Sequence, residues 1–407
     1  MDERTADRIR QRSAWETERK GYPEGFPALP PVPAARYGDP AFFALEQRHV
    51  FGSSWLFAAL DDELRDPGDV LGVEHLATAV LLARGQDGVI RGFHNTCTHR
   101  GTPLVARGPG HVARRIVCPY HHWSFELTGE LASYPEKRDF RGLDRSCLGL
   151  RPVRCETFGG SIFVNFDPDA APLQESLGRV FHELDDEIGE RAPGTGMRLI
   201  RKVSYDLPCN WKVAADANLE TYHVNALHRN TASEAIDPRT TTIALYAQGH
   251  ARMFLKGRDP AAAAALPLPR FPHVSPLAGE GVLSYGIFPN VALVLAPYMM
   301  FTVNAWPVGP SQTRYEVCYM GAAPETDETK AVWDLLLGFN GAVIEEDVSV
   351  LAGIQRSIDA GNLEALTLGY MERRIYHLHE EVDRRIGATR IPQELRVQPV
   401  LEPFLEG

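Results

Sequence analysis

Two short segments constrain this chain more than any others. Asn95-Thr-Cys-Thr-His-Arg-Gly101 places Cys97 and His99 with one residue between them, and Cys118-Pro-Tyr-His-His-Trp123 places Cys118 and His121 with two. Eighteen residues separate the pairs. Zinc also takes two thiolates and two imidazoles, but zinc fingers pair like with like, often with a helix carrying the histidines. Here each segment offers one thiolate and one imidazole. That arrangement suits a two-iron cluster held by two loops, both thiolates on one iron and both imidazoles on the other. Neutral imidazole in place of anionic thiolate lowers the negative charge and raises the potential. His122 competes with its neighbour, and the two-residue gap favours His121. The other cysteines, Cys147, Cys155, Cys209 and Cys318, show no spacing pattern and are expected as small core residues.

The surroundings of these loops are β-like. From about Trp55 to Asp167, short runs such as Asp69–Leu76 and Ser161–Asp167 alternate with turn signals at Asp66-Pro-Gly-Asp69, Gly85-Gln-Asp-Gly88 and Leu127-Thr-Gly-Glu-Leu131. That spacing predicts a small antiparallel β domain with both Cys/His pairs at turns. Before it, residues 1–20 read as a charged helix or arm, followed by a proline-rich extended linker. Asp39 and Pro40 open a helix as cap and first position. After Asp167 the apolar spacing changes. Strand-like runs at 282–308 and 313–323 mix with helical patterns over 328–360 and 371–387, and residues 261–276 read as a mobile loop. The expected class is α+β: residues 1–40 as an N-terminal arm on the catalytic domain, 41–168 as the cluster-binding β domain, and 169–407 as a catalytic domain with an antiparallel sheet flanked by helices, helix-grip-like.

A second metal site is suggested by Glu220, His223 and His228 in Asn210–His228. Two histidines five apart point about 140° away from each other on an ideal helix. They share an ion only if the helix bulges or ends between them. A distant third ligand is then needed, and Asp347 offers one, with Glu345 and Glu346 as competitors. Two histidines and a carboxylate form the facial set of non-haem Fe(II) oxygenases, which leaves positions open for oxygen and substrate.

Composition excludes several classes. The 407-residue chain has a net charge of −11, so it lacks the basic stripe of a nucleic-acid binder. No apolar run is long enough for a membrane span, and the charged N-terminus has no apolar core of a secretory signal, so a cytoplasmic protein is expected. No glycine fingerprint for a dinucleotide is present.

Taken together, the two sites make the chain resemble the large (α) subunit of a Rieske-type non-haem iron oxygenase of an aromatic-ring-hydroxylating system. Gly92–Leu104 and Cys118–Leu131 match the cluster loops, and Asn210-Trp-Lys212, Leu219–His228 and Glu345–Ser357 match the catalytic iron region. The resemblance runs from about Tyr37 to near the C-terminus. It implies a [2Fe–2S] Rieske cluster on Cys97, His99, Cys118 and His121, and a mononuclear Fe(II) on His223, His228 and Asp347. Glu220 and Asp347 are the catalytic carboxylates in this reading. Glu220 bridges, through hydrogen bonds, between the cluster of one subunit and the iron of its neighbour, so a ring-shaped homotrimer is expected, with or without a small β subunit. Three departures stand out: an insertion at 107–115 read as a surface loop, His122 where glycine is frequent, and Ala217 where many members have Asn after an acidic residue.

The implied activity is that of a terminal oxygenase. It takes electrons from a separate NAD(P)H-dependent reductase, with or without a ferredoxin, and uses O2 to hydroxylate an aromatic or related small organic substrate. The alternative is an N- or O-demethylase or monooxygenase acting on methylated amines, quaternary ammonium compounds or methoxyarenes; Glu rather than Asp at position 220 is seen in members of that kind. Strand alternation around Ser284–Trp306 offers Phe288, Asn290, Phe301, Asn304 and Trp306 as candidate pocket residues.

Overall fold

Period-two alternation between turn glycines builds the first of two units. The computed structural model describes residues 1–74, 78–188, 197–271, 273–323 and 325–406. It divides into a unit spanning Phe51–Leu173 and a unit formed by Met1–Val50 with Gln174–Gly407. The smaller unit holds a seven-stranded antiparallel sheet in the order Leu56–Leu60, Ser161–Asn165, Pro152–Phe158, Ile90–His94, Val80–Arg84, Asp69–Val73, Gly108–His111. A three-stranded sheet, Arg115–Val117, Ser124–Glu126 and Leu131–Ser133, accompanies it. At the turn between the last two of these, Gly129 adopts φ +101°, and a Cβ there would lie 2.6 Å from the Phe93 ring. Both the left-handed backbone and the close approach require glycine.

Two expectations are corrected here. The insertion at 107–115 is not a surface loop: Gly108–His111 pairs with Asp69–Val73 as an edge strand, because an unpaired edge of the sheet accepts any extended segment alongside it. Cys147 is exposed rather than in the core, its thiol near Asp144 on a short 3₁₀ turn, and Cys155 is half-buried. Cys209 and Cys318 are fully buried.

The larger unit is built on a second seven-stranded antiparallel sheet, ordered Met197–Leu207, Gln312–Ala322, Met299–Gly309, Val291–Leu295, Gly281–Ile287, Ala251–Lys256, Thr242–Leu245. Six helices matter for the site: α1 (Glu3–Glu18), α2 (Pro40–Glu46), α3 (Trp211–Asp216), α4 (Val224–Leu227), α5 (Asp327–Asp359) and α6 (Arg373–Ile386). Helix α2 starts as its sequence predicts, with Pro40 at its first turn and Asp39 accepting the Phe42 N–H at 2.8 Å. The same Asp-Pro device, Asp259 accepting from the Ala262 N–H, opens a short alanine helix at Pro260–Ala264, inside the stretch expected as a mobile loop. Alanine's helix preference decides the matter once a cap is present. Among the described residues no helix is long and apolar enough to cross a membrane.

Helix α5 explains how this unit closes. Its core-facing residues Trp333, Leu337, Ile344, Leu351 and Ile358 recur four or seven positions apart and form one apolar stripe. That stripe packs on the sheet in the same cluster as Val303, Ala305, Tyr315, Val317 and Tyr319.

A buried polar network holds α3 in place between them. Asn210 caps α3 by accepting the Lys212 N–H at 3.0 Å, and its own N–H donates to Gln355 of α5 at 2.8 Å. Trp211 Nε1 and Lys212 Nζ both donate to Glu46 of α2, at 3.1 and 2.6 Å. Lys212 and Glu46 are both fully buried. The Asn210-Trp-Lys212 motif is thus an anchor joining three helices.

At the far end of α3 the polar chain continues in a defined order. Arg36 Nε donates to His379 Nδ1 at 3.1 Å, so the imidazole carries its proton on Nε2. That nitrogen lies 2.7 Å from the Tyr37 hydroxyl, which donates to Asp216 at 2.7 Å. Burial pushes Asp216 up to about 7, against the lowering effects of Tyr37 and Lys212.

Two outcomes follow from this network. Glu46→Ala leaves the Lys212 ammonium buried and unpaired, and is expected to cost about 3–5 kcal/mol, read as a lower melting temperature or denaturant midpoint. Between about pH 4 and 7 the native chain keeps a proton on Asp216 that the unfolded chain has released, so this group's stability contribution is complete below about 4 and is lost as pH rises through 7. Asp216→Asn is expected to flatten that part of a stability-against-pH curve; an unchanged slope would contradict the assignment.

Candidate metal centres

The two Cys/His loops differ in spacing but share one backbone design. In the first, the Cys97 N–H donates to Thr102 O at 2.9 Å and the Gly101 N–H returns to Cys97 O at 2.9 Å. In the second, the Cys118 N–H donates to Trp123 O at 2.7 Å and the His122 N–H returns to Cys118 O at 3.0 Å. The residue four after each cysteine is left-handed: Gly101 at φ +79° and His122 at φ +57°. This explains why glycine suits position 122, since an L residue adopts that conformation only with strain. His122 itself is exposed, and His121 turns inward.

Each sulfur accepts backbone N–H groups from the second and third residues after it: His99 and Arg100 for Cys97, Tyr120 and His121 for Cys118. The Thr102 hydroxyl adds a donor to Cys118. Burial pushes the Cys97 thiol up, and these donors hold the Cys118 thiol down against its own burial. Both thiols are buried, each at 2% exposure, and they interact with each other. On the imidazole side the His99 and His121 ring centroids are 4.7 Å apart, and His99 stacks on Trp123 at 4.7 Å with a 3° interplanar angle.

Sulfur therefore pairs with sulfur and imidazole with imidazole, as a cluster with one kind of ligand on each iron requires. His121 Nδ1 is buried without a hydrogen-bond partner, an orphan of the sort that a bound metal removes. The donor set fits a two-iron cluster. Sequence reasoning missed Asn95, whose side chain staples the first loop by accepting the Leu104 and Val105 N–H groups at 2.9 and 3.1 Å and donating to Val105 O at 2.8 Å. Its place at the head of the motif was the available signal.

The second centre forms where the expected long helix breaks. The segment from Asn210 to His228 is not one helix: α3 stops at Asp216, and the single turn α4 has His223 at its N-terminal boundary and His228 at its C-terminal boundary. The break brings the two rings to one point. His223 Nε2 and His228 Nε2 are 3.2 Å apart, and Asp347 Oδ1 lies 3.5 and 3.1 Å from them. Among the described residues this is the only group of three His, Cys, Asp or Glu side chains whose ligand atoms all lie within 4.8 Å of one another.

The opposite nitrogen of each ring meets a different carboxylate. His223 Nδ1 pairs with Glu220, and His228 Nδ1 lies 2.7 Å from Glu346 Oε2, which also accepts from the Thr231 hydroxyl at 2.6 Å. These partners put the imidazole protons on Nδ1 and leave two Nε2 lone pairs facing a carboxylate oxygen. Three acceptors that close repel one another unless a cation joins them, so the donor set fits a divalent metal. Without one, protons take its place. Burial lowers both histidines, but Glu220 outweighs it at His223 and Asp347 and Glu346 outweigh it at His228, so both end above the ordinary value.

The structure separates the three acidic candidates of α5. Asp347 lies on the core-facing stripe three residues after Ile344 and four before Leu351, Glu346 is half-buried against His228, and Glu345 is exposed. The helical period alone carried that distinction.

A narrow cavity reaches the segment that leads into this centre, with none of the three converging side chains in its lining. It is lined by Asn218 and Leu219, which directly precede Glu220, and by Phe288, Asn290, Tyr315 and Arg374 among others. Asn218 donates to the Tyr315 hydroxyl at 2.8 Å. Of the five candidate pocket residues, Phe288 and Asn290 line the cavity; Phe301, Asn304 and Trp306 do not. On the strand Met299–Gly309 the cavity takes Val303 and Ala305, so Asn304 and Trp306 face the opposite side of the sheet by the period of two. Phe301 shares the parity of Val303 but packs against Tyr319, with ring centroids 5.6 Å apart.

Comparison with known proteins agrees with this geometry. The family described as Rieske [2Fe-2S] domain matches residues 54–148, and the one described as ring hydroxylating alpha subunit (catalytic domain) matches residues 196–388. The chain is 35% identical over 211 residues to the carnitine monooxygenase oxygenase subunit of Escherichia coli (strain K12), covering 51% of this chain and 55% of that protein. It is 35% identical over 200 residues to the large oxygenase component of the naphthalene 1,2-dioxygenase system of Pseudomonas putida, covering 48% and 44%. The match thus spans about half the length of these relatives. A solved quaternary ammonium Rieske monooxygenase shares the fold with a TM-score of 0.76 at 22% identity, over 90% of this chain and 99% of that one. Together the two matched domains imply a Rieske cluster and a mononuclear iron.

Glu346→Gln is expected to weaken iron retention at His228 by about 10- to 100-fold while leaving the visible absorption of the cluster unchanged. Iron and acid-labile sulfide analysis of the same preparation checks both.

Proposed function

For a chain that belongs to the Rieske oxygenase large subunits, carrying both of their domains, we propose that it is the terminal oxygenase of a multicomponent system in the cytoplasm, hydroxylating an aromatic or related small organic substrate. Electrons come from a separate NAD(P)H-dependent reductase, with or without a ferredoxin. Cys97, His99, Cys118 and His121 hold the [2Fe–2S] cluster, and His223, His228 and Asp347 hold the iron. The observation that carries this reading is the convergence of two Nε2 atoms and one carboxylate oxygen within 3.5 Å, a ligand set that leaves coordination positions free.

When bound, the cluster supplies single electrons and the iron supplies the activation of O2. The chain's own residues do the rest. Glu220 and Glu346 hold the Nδ1 protons of the two ligand histidines and so orient both rings. Asp347 contributes the negative charge that favours a divalent ion. Leu219, Phe288 and Tyr315 give the adjoining cavity mainly apolar walls, which exclude water from the reaction. Hydroxylation balances as substrate C–H plus O2, two electrons and two protons giving C–OH and water. Glu220, next to His223, is positioned to link the iron to the cluster of a neighbouring protomer in a homotrimer, with or without a small β subunit.

A second reading, oxidation of a methylated amine or quaternary ammonium compound, is favoured by Glu at position 220 and by the similarity to carnitine monooxygenase. One experiment addresses both. Purified protein, carrying about three irons and two sulfides per chain, is reduced and exposed to ¹⁸O₂ with a panel of aromatic acids, phenols, methoxyarenes and methylated amines. Labelled ring hydroxyl without formaldehyde is expected; formaldehyde in step with substrate loss moves the assignment to the second reading. Full metal content with no labelled product from any member would refute both. His223→Ala is expected to keep the cluster, lose one iron and lose turnover.

A further inference from the structure

We propose that the cavity beside the iron site recognises an organic carboxylate, and that Arg374 is the residue that pairs with it. The inference rests on the oxygenase reading for what happens to the ligand, but not for its charge.

Arg374 sits in the first turn of α6 and is 1% exposed. Among the described residues no acidic side chain pairs with it. Nη1 approaches only the Met253 sulfur, at 3.4 Å, and Nε and Nη2 have no hydrogen-bond partner. Among the described residues that line the cavity it is the one charged group. Its neighbour Arg373 adds a second positive charge, and the positive end of the helix dipole adds to both. Burial and Arg373 together pull Arg374 down to about 9. A guanidinium this deep with two idle donors is unfavourable by itself, and an anion that joins it reverses the sign.

Placement ties this group to the reaction. A Cβ added at Gly286 would lie 2.8 Å from Arg374 Nη2 and 3.4 Å from Leu219 Cδ2. Leu219 directly precedes Glu220, so the fork opens next to the loop that carries the iron ligands. Gly286 keeps that approach clear. Across the cavity Asn290 donates to Ala305 O at 3.1 Å and leaves its own carbonyl oxygen without a partner. The cavity therefore offers two unused donor nitrogens on a charged fork and one unused acceptor. The planar fork matches the two oxygens of a carboxylate. The space now amounts to about 20 Å³, room for roughly one water, so a carboxyl group enters only as the lining side chains give way.

Equilibrium binding to the intact holoprotein tests this with two isosteric pairs, benzoate against benzamide and acetate against acetamide. The acid is expected to bind at least about tenfold more tightly than its amide in one pair or both. Arg374→Gln and Arg374→Met are expected to abolish that preference. Arg374→Met is also expected to raise the melting temperature of the ligand-free protein, since an unpaired buried charge is gone; a residue serving only structure would lower it. Equal binding of acid and amide by the wild-type protein in both pairs overturns the proposal, and needs no variant to fold. So does a variant that keeps the preference. If the acids are preferred while no panel member is oxygenated, the carboxylate site stands and the oxygenase reading falls.

Discussion

Three acceptor atoms held face to face inside the protein, His223 Nε2, His228 Nε2 and Asp347 Oδ1, set the terms for the larger unit. Acceptors repel at these distances, so the arrangement exists only because the scaffold overrides the repulsion or a cation relieves it. The scaffold is identifiable. Glu220 and Glu346 hold the far side of each ring, and Asp347 occupies a position on the apolar stripe of a 33-residue helix. The Asn210-Trp-Lys212 anchor ties the incoming helix to Glu46 and Gln355. Removing water from this region strengthens every charge in it, and Glu220, Glu346, Asp347 and Lys212 each meet a specific partner.

The smaller unit solves a similar problem with backbone rather than carboxylates. Its two loops donate the same pattern of N–H groups to their sulfurs although one spaces Cys and His by one residue and the other by two. The shared left-handed position, Gly101 and His122, is what makes the two loops equivalent. The cysteines belong to the apolar cluster around Phe93, Ile116, Trp123 and Phe125, so sulfur burial and domain stability come from the same packing.

Against this background of paired charges, Arg374 is an exception. Lys212, Arg36 and Arg252 are all buried and all have carboxylate partners, in Glu46, Asp383 and Glu183. Arg374 has none. Local rules are broken most often where function needs them broken, and that is the ground on which a carboxylate partner for Arg374 is proposed.

The spacing of Cys97, His99, Cys118 and His121 was legible in the chain, and the structure brings the two sulfurs together and the two imidazoles together. Also legible were the cap at Asp39, the β character of the first unit and the helical stripe of α5, all of which depend on neighbours within a few positions. The pocket residues were half legible: Phe288 and Asn290 line the cavity, whereas Asn304 and Trp306 lie on the other face of the sheet, and period-two alternation does not say which face meets the helices. Cys147 and the strand at Gly108–His111 were misjudged because their settings depend on an edge and a turn assembled from distant segments. The break between α3 and α4 and the unpaired Arg374 were decided by tertiary structure. Each depends on groups more than 60 residues away in the chain being brought within hydrogen-bond range, or kept out of it, and local sequence carries no record of that distance.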